Sequence, residues 1–116
     1  MSAPAVDASI TRPAPDVAVV RVHEPALNLS VKEAFRGLLK NQMAEGATRI
    51  VIDLTEVSFC DSSGLSALIH AHRQAVAREG WVRLVGVSSQ LERLLEVSNL
   101  QWLLRRFATV DAALDD

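Results

Sequence analysis

The chain has 116 residues, of which 49% are hydrophobic, and carries a formal net charge of −2. This length predicts a single domain that can bury a core without disulfides or a structural metal. The slightly acidic balance and the low aromatic content, 4%, exclude a strongly basic, aromatic-rich surface for nucleic acid or anionic lipid, so the expected partner is a protein or a small molecule.

Residues 1–15 contain three of the four prolines and are predicted to form a flexible tail or a weak edge strand, because proline has no amide hydrogen to donate to a sheet. The domain is therefore expected to span residues 16–116. The N-terminus lacks the basic start and apolar run of a secretory signal, no apolar stretch is long enough to cross a bilayer, and Cys60 has no disulfide partner in the chain. These features predict a cytoplasmic protein without direct membrane insertion.

The first predicted elements are a strand at residues 17–22 and a helix within residues 30–46. The strand sequence VAVVRV is rich in β-branched residues. The helix has apolar residues at the spacing of one buried face, at positions 31, 34, 35, 38 and 39. Ser30 and Glu33 form a predicted capping box at its start, and Gly46 follows its last turn.

The next segments alternate strand, helix and strand. Residues 49–54, RIVIDL, are almost continuously apolar, as expected of a strand that is covered on both faces in a parallel sheet. A helical pattern follows and is expected to stop at Gly80, before a strand at residues 81–87. Such a βαβ unit requires parallel pairing and a right-handed crossover.

The C-terminal part predicts a third helix, a short strand around Phe107 and a short last helix after Thr109. Ser89 and Glu92 form a predicted capping box for the third helix, and Asn99 is expected to end it in the left-handed conformation. The predicted fold class is therefore α/β: a small sandwich with a mixed, mostly parallel central sheet of four to five strands and about four helices.

The loop before the second helix, FCDSSGL at residues 59–65, holds the most informative residues. Asp61, Ser62 or Ser63 can cap this helix, since each carries a side-chain oxygen that accepts a hydrogen bond from a free backbone amide. One capping residue is enough, so the remaining polar residues need another explanation.

A catalytic role for these serines is not favoured. A nucleophilic serine needs a base within hydrogen-bond reach and donors for an oxyanion, and the G-x-S-x-G pattern is absent. His70 and His72 lie eight and ten residues beyond Ser62, which is roughly 12 Å or more along the same helix. His23 lies at a strand end, where a histidine is commonly a surface residue.

Metal and cofactor sites are not predicted either. His70 and His72 are two residues apart on a helix and point in different directions, and Cys60 has no second thiol. His72 falls on the apolar face and is expected to be partly buried with one ring nitrogen hydrogen-bonded. No glycine-rich nucleotide motif occurs. We therefore expect no cofactor and no enzymatic activity.

The third interpretation is that a serine of this loop accepts a phosphate. A helix N-terminus has free amides and a partial positive charge, so it tolerates or stabilises a phosphoserine without unfolding. The modification adds negative charge beside Asp61 and can repel a partner that covers the loop. The residues alone do not decide between Ser62 and Ser63.

The segment VIDLTEVSFCDSSGLSALIHAH, residues 51–72, resembles the signature of STAS domains, specifically the bacterial anti-sigma factor antagonists. Their pattern D-L-x-x-V-x-F-x-D-S-S-G-L is matched by Asp53, Leu54, Val57, Phe59, Asp61, Ser62, Ser63, Gly64 and Leu65. The segment VSSQLERLLEVSNL is similar to a second family pattern, S-x-x-V-x-R-x-L-x-x-S-G-L, with Asn99 where glycine is usual. The resemblance covers residues 17–114.

This resemblance implies a STAS-type sandwich that acts in partner switching. In this family the first serine after the aspartate, here Ser62, is phosphorylated by an anti-sigma factor serine kinase of the histidine-kinase-like ATPase fold, and a PP2C-type phosphatase removes the phosphate. The unphosphorylated form binds the anti-sigma factor and releases the sigma factor. Ser63 is the second candidate for phosphorylation and is otherwise expected to help cap the helix, while Gly64 would give the kinase close access to the backbone. The implied partner-binding residues are Asp61, Ser62, Ser63, Gly64, Leu65 and Ser66.

One segment departs from the family pattern. Family members commonly carry a G-E-L-D run where this chain has HEPALNLS, and a gapless reading puts Leu27 in place of the aspartate, with Ser30 still capping the helix. The class of partner therefore stays open. The alternatives are a partner switch that does not act on a sigma factor and a STAS accessory subunit of a lipid-transport ABC complex that binds its partner constitutively.

Overall fold

A computed structural model gives the fold of residues 5–116. Its helices and strands, in chain order, are β1 (Ala8–Ala14), β2 (Val17–Val22), β3 (Ala26–Leu27), α1 (Leu29–Ala44), β4 (Arg49–Asp53), β5 (Phe59–Cys60), α2 (Ser62–Ala77), β6 (Trp81–Val85), α3 (Ser89–Val97), β7 (Arg105–Phe107) and α4 (Val110–Asp115). Within residues 5–116, no helix combines the length and the apolar character that crossing a membrane requires.

Five strands form one sheet in the order β1-β2-β4-β6-β7. β1 is antiparallel to β2, and the other neighbours are parallel. The short strands β3 and β5 pair in parallel as a separate two-stranded sheet. The predicted α/β class, with a mixed and mostly parallel sheet and about four helices, is confirmed.

The central strand β4 is covered on both faces. Ile50 and Ile52 pack in the larger core with residues of α1, α2 and α3, whereas Val51 packs with Ala113 of α4 on the opposite face. Successive side chains of a strand point to opposite faces, so burial on both sides explains why this segment is almost continuously apolar.

Arg83 of β6 helps to hold α4 against its face of the sheet. The Arg83 side chain is buried, its guanidinium carbon lies 3.8 Å from the centre of the Trp81 ring, and its Nη1 donates to the carbonyl oxygen of Ala113 at 2.8 Å. A buried guanidinium requires such partners, because its charge has lost its water.

The N-terminal segment, expected to be a flexible tail or a weak edge strand, contains the edge strand β1. Its register with β2 shifts between Thr11 and Ala14, on either side of Pro13. The sheet therefore begins at Ala8, ahead of the domain start expected at residue 16. Residues 1–4 of that segment lie outside the described residues.

Two of the predicted capping boxes are wrong in position. Asn28, not Ser30, caps α1, because its Oδ1 accepts a hydrogen bond from the Ser30 amide at 3.1 Å. Ser88, not Ser89, caps α3 and accepts from the Leu91 amide at 3.2 Å. A capping residue needs an extended backbone, which Asn28 and Ser88 have, whereas Ser30 and Ser89 already lie within the helices.

The predicted helix ends are confirmed for α1 and α3 and corrected for α2. Gly46 and Asn99 have positive φ angles of 106° and 57°. At the end of α2, however, Glu79 takes the left-handed conformation with φ of 62°. Gly80 is needed for a different reason: a Cβ there would lie 1.7 Å from the carbonyl oxygen of Thr48.

Replacing Gly80 by alanine is expected to lower the free energy of unfolding by about 1–3 kcal/mol, the usual cost of overpacking, because the new Cβ collides with the Thr48 backbone. Gly37→Ala is the matched control, since a Cβ at this position inside α1 meets no atom within 4 Å. The control is expected to gain about 0.5–1 kcal/mol from the better helix propensity of alanine. Urea unfolding should move the two midpoints in opposite directions, and an unchanged midpoint for Gly80→Ala would contradict the close approach.

Candidate functional site

The loop between β4 and α2 ends in a helix cap formed by an aspartate. Asp61 has an extended backbone, and its Oδ1 accepts a hydrogen bond from the amide of Gly64 at 3.0 Å. The helix proper begins at Ser62. Asp61 is therefore the residue that caps α2, and the expected contribution of Ser63 to the cap is not what the structure shows.

The residues proposed to bind a partner differ in their exposure. Ser62 and Ser66 are exposed, Asp61 and Ser63 are half-buried, and Gly64 and Leu65 are buried. Ser62 and Ser66 are four residues apart and share one face of α2. The same face continues as a shallow groove lined by Leu65, Ile69, His70 and Arg73.

Gly64 has a packing role inside the protein. A Cβ at this position would lie 2.4 Å from the carbonyl oxygen of Leu27 and 2.8 Å from the Cys60 sulfur. Because Gly64 is buried, its role is to let α2 approach β3, rather than to give a kinase access to the backbone. Burial, and secondarily the charge of Asp61, raise the pKa of the Cys60 thiol to about 12, so this cysteine is a neutral packing residue at physiological pH.

The backbone of the loop is held from two sides. On one side, the Ser58 amide donates to the carbonyl oxygen of Pro25 at 3.0 Å, and the Asp61 amide donates to that of Leu27 at 3.1 Å. On the other side, the Cys60 amide donates to Oε1 of Gln90 at 2.8 Å, and Nε2 of Gln90 donates back to the Cys60 carbonyl oxygen at 2.8 Å. No local sequence signal marks Gln90 for this contact, because its partner Cys60 lies 30 positions earlier in the chain.

The segment that departs from the family pattern forms β3 and the start of α1. Leu27 is fully buried in β3. Asn28 is half-buried and caps α1. The segment thus places a core leucine directly before a neutral amide, Asn28, that serves as a helix cap.

Two apolar side chains beside this loop are unusually exposed. Leu29, the first residue of α1, is 72% exposed, and Phe59 of β5 is 47% exposed. Leu29 directly follows the cap residue Asn28, so it lies at the exposed start of α1.

The histidines do not form a catalytic or metal site with Ser62. His70 is exposed, whereas His72 is half-buried and its Nδ1 accepts a hydrogen bond from the Val82 amide at 3.2 Å, which confirms the expected environment of His72. His23 lies with its Nε2 2.6 Å from Oγ of Ser9 and its Nδ1 2.9 Å from Oε2 of Glu56. Within residues 5–116, no three His, Cys, Asp or Glu side chains are grouped as metal ligands would be.

The fold and the loop together define a small α/β domain whose helix α2 starts at an exposed serine. The family model of the STAS domain matches residues 9–113. The chain therefore belongs to the STAS domain family, and the resemblance seen in the sequence is confirmed.

A sequence relative of this chain is named as an anti-sigma factor antagonist. The anti-sigma-B factor antagonist of Listeria monocytogenes is 41% identical over 70 residues, which are 60% of this chain and 58% of that protein. The match thus spans less than two thirds of the length of the Listeria protein.

Solved structures share the fold at lower identity. An anti-sigma factor antagonist from Mycobacterium paratuberculosis has a TM-score of 0.80 at 23% identity, over 98% of this chain and 96% of that chain. The anti-sigma factor antagonist SpoIIAA in its unphosphorylated form has a TM-score of 0.80 at 22% identity, over 94% of each chain. The phosphorylated form of SpoIIAA, a Bacillus cell fate determinant, has a TM-score of 0.73 at 22% identity, over 94% of this chain and 97% of that chain. At these identities the likeness establishes the fold alone.

The buried environment of His72 predicts a pH dependence of stability. Burial lowers the pKa of His72 from its ordinary value of 6.5, so the folded protein favours the neutral ring. Below about pH 6.5 the unfolded chain then binds more protons than the folded one, and the free energy of unfolding is expected to fall as the pH is lowered. This contribution is fully present above pH 6.5 and is lost as the pH falls through the lowered pKa.

Urea unfolding between pH 7.5 and 5 measures this slope. His72→Asn keeps an acceptor near the position of Nδ1 but does not titrate, so the slope is expected to be flatter. His70→Asn, an exposed position on the same helix, should keep the slope of the wild type. If both variants follow the wild-type curve, the lowered pKa of His72 is not the cause.

Proposed function

We propose that this chain is an anti-sigma factor antagonist that works by partner switching. Its unphosphorylated form binds an anti-sigma factor kinase and releases the sigma factor, and phosphorylation of Ser62 abolishes this binding. The observation that carries the proposal is the exposure of Ser62 at the first residue of α2, directly after the capping Asp61. The name of the Listeria relative supports the antagonist role.

The position of Ser62 suits a modification that changes the surface and leaves the fold intact. Asp61 already satisfies the Gly64 amide, so α2 does not depend on the Ser62 hydroxyl for its cap. A phosphate at the first residue of a helix lies near free amides and the positive end of the helix dipole. It adds close to two negative charges beside Asp61.

A phosphate on Ser62 would weaken partner binding through its charge and through the cost of removing its water. A partner that covers Ser62 must remove water from the phosphate without supplying a matching charge. If this mismatch costs ~3 kcal/mol, the affinity falls more than a hundredfold. Ser62 suits this role better than Ser63, which is half-buried.

The partners follow from the same proposal. The kinase is an anti-sigma factor of the histidine-kinase-like ATPase fold, and a PP2C-type phosphatase restores the binding form. The chain is the substrate of these enzymes and acts in the cytoplasm. That SpoIIAA, which shares the fold, has structures in unphosphorylated and phosphorylated forms supports a fold that accommodates both states.

The test compares Ser62→Ala and Ser62→Asp as baits in a pull-down from the source cells, read by mass spectrometry. Ser62→Ala is expected to retain a histidine-kinase-like ATPase, and Ser62→Asp to lose it by about a hundredfold or more, because the carboxylate imitates the charge of the phosphate. Both variants should melt near the temperature of the wild type, since an acidic residue in the first turn suits the helix dipole.

Ser89→Asp is the matched control. Ser89 is also an exposed serine and the first residue of a helix, but of α3. It should retain the ATPase like the wild type. If all three baits retain the ATPase equally, or if each retains a transporter ATPase, the switch is contradicted. The chain would then bind its partner constitutively. Unfolding of Ser62→Asp would contradict a modification that the fold tolerates.

A further inference from the structure

The side chain of Gln90 binds the backbone directly before the proposed phosphorylation site. Its amide accepts a hydrogen bond from the Cys60 N–H and donates one to the Cys60 carbonyl oxygen, both at 2.8 Å. Gln90 is 30 residues further along the chain, in the first turn of α3. Cys60 is fully buried, so water does not compete for these backbone groups.

This contact adds backbone hydrogen bonds to β5, a strand that is too short to be stable by itself. β5 has two residues and pairs with β3 on one edge only. A glutamine side chain offers one donor and one acceptor on a planar amide, the same groups that a peptide bond of a neighbouring strand offers. Gln90 therefore takes the place of a second neighbouring strand at Cys60.

The backbone of Gln90 is itself fixed by the core. Ser88 caps α3 just before Gln90, and Leu91 and Leu95 of the same helix are buried. The amide of Gln90 thus projects from a rigid element. The loop it holds leads within two residues to Ser62.

We propose that Gln90 is a positioning residue for the switch: it fixes the Cys60 backbone, holds Ser62 in the orientation that the partner and the kinase recognise, and so couples α3 to this site. The proposal rests on the function proposed for Ser62. Its structural part, the ordering of the loop by Gln90, stands on the two hydrogen bonds and can be measured without a partner.

The first experiment measures hydrogen exchange of the Cys60 and Asp61 amides by NMR in the full chain. Gln90→Met keeps the length of the side chain and removes both hydrogen bonds, so the protection of these amides is expected to fall about tenfold or more. The amide of Val51 in the central strand serves as reference and reports any global loss of stability. Unchanged protection of Cys60 in Gln90→Met would overturn the proposal.

Gln90→Glu adds a reversible version of the same test. At neutral pH its carboxylate can accept from the Cys60 amide but has no hydrogen for the Cys60 carbonyl oxygen. When the pH is lowered, the protonated carboxyl group again offers one donor and one acceptor. Protection of the loop, relative to Val51, should therefore recover on acidification in Gln90→Glu and not in Gln90→Met. If Gln90 only packed against the loop, acidification would not restore protection in Gln90→Glu. A Gln90→Glu variant whose protection does not recover would therefore overturn the proposal.

The second experiment measures binding to the ATPase retained by the Ser62→Ala bait. Gln90→Met is expected to weaken this binding about tenfold in the unphosphorylated form. If Ser62→Asp abolishes binding but Gln90→Met binds like the wild type, the switch holds and the coupling through Gln90 is wrong. If Gln90→Met loosens the loop but Ser62→Asp does not affect binding, Gln90 orders the loop and the proposed function fails instead.

Discussion

The burial of β4 on both faces is the constraint on which the rest of the structure depends. Helices α1, α2 and α3 pack on one face of this strand and α4 packs on the other, so the segment after β4 can reach solvent only beyond the end of the strand. In a parallel sheet the carboxyl ends of the strands lie on the same side, and α/β proteins place their functional loops there. The loop that leads to Ser62 begins where β4 ends, on this side of the sheet.

The loop itself is ordered by backbone hydrogen bonds as well as by the burial of Leu54, Val57 and Cys60 in the core. The carbonyl oxygens of Pro25 and Leu27 hold one side, and the Gln90 amide holds the other. Such a loop can carry an exposed hydroxyl in one orientation without an adjacent cavity. The switch proposed for Ser62 would change the charge of a fixed surface, which requires no second conformation of the domain.

Much of the fold could be predicted from periodicity. The helical faces of α1 and α2, the continuous run of β4 and the left-handed Asn99 are all visible in the local sequence. The predicted caps of α1 and α3 were misplaced because serine and glutamate three positions apart also occur inside a first turn, and only an extended backbone identifies the true cap.

Only part of the candidate site is visible in the local sequence. The cluster at Asp61 and Ser62 is a contiguous motif and was found, whereas the role of Gln90 is not local: its side chain meets the backbone of a residue 30 positions away. The contacts of His23 with Ser9 and Glu56 are of the same kind, since they join β1 to the loop after β4. Interactions between distant segments leave no periodic signal, so sequence reasoning has nothing to detect until the fold is known.

The edge strand β1 has a consequence for how copies of the protein meet. An edge strand presents unpaired amides and carbonyl groups to solvent, and two such edges can join into one continuous sheet. Here Pro13 interrupts the donors of the strand, the register shifts beside it, and Arg12 turns inward to donate to Gln42 of α1 at 3.0 Å. This irregular edge is a poor template for a neighbouring strand, so it disfavours growth of the sheet from copy to copy through β1.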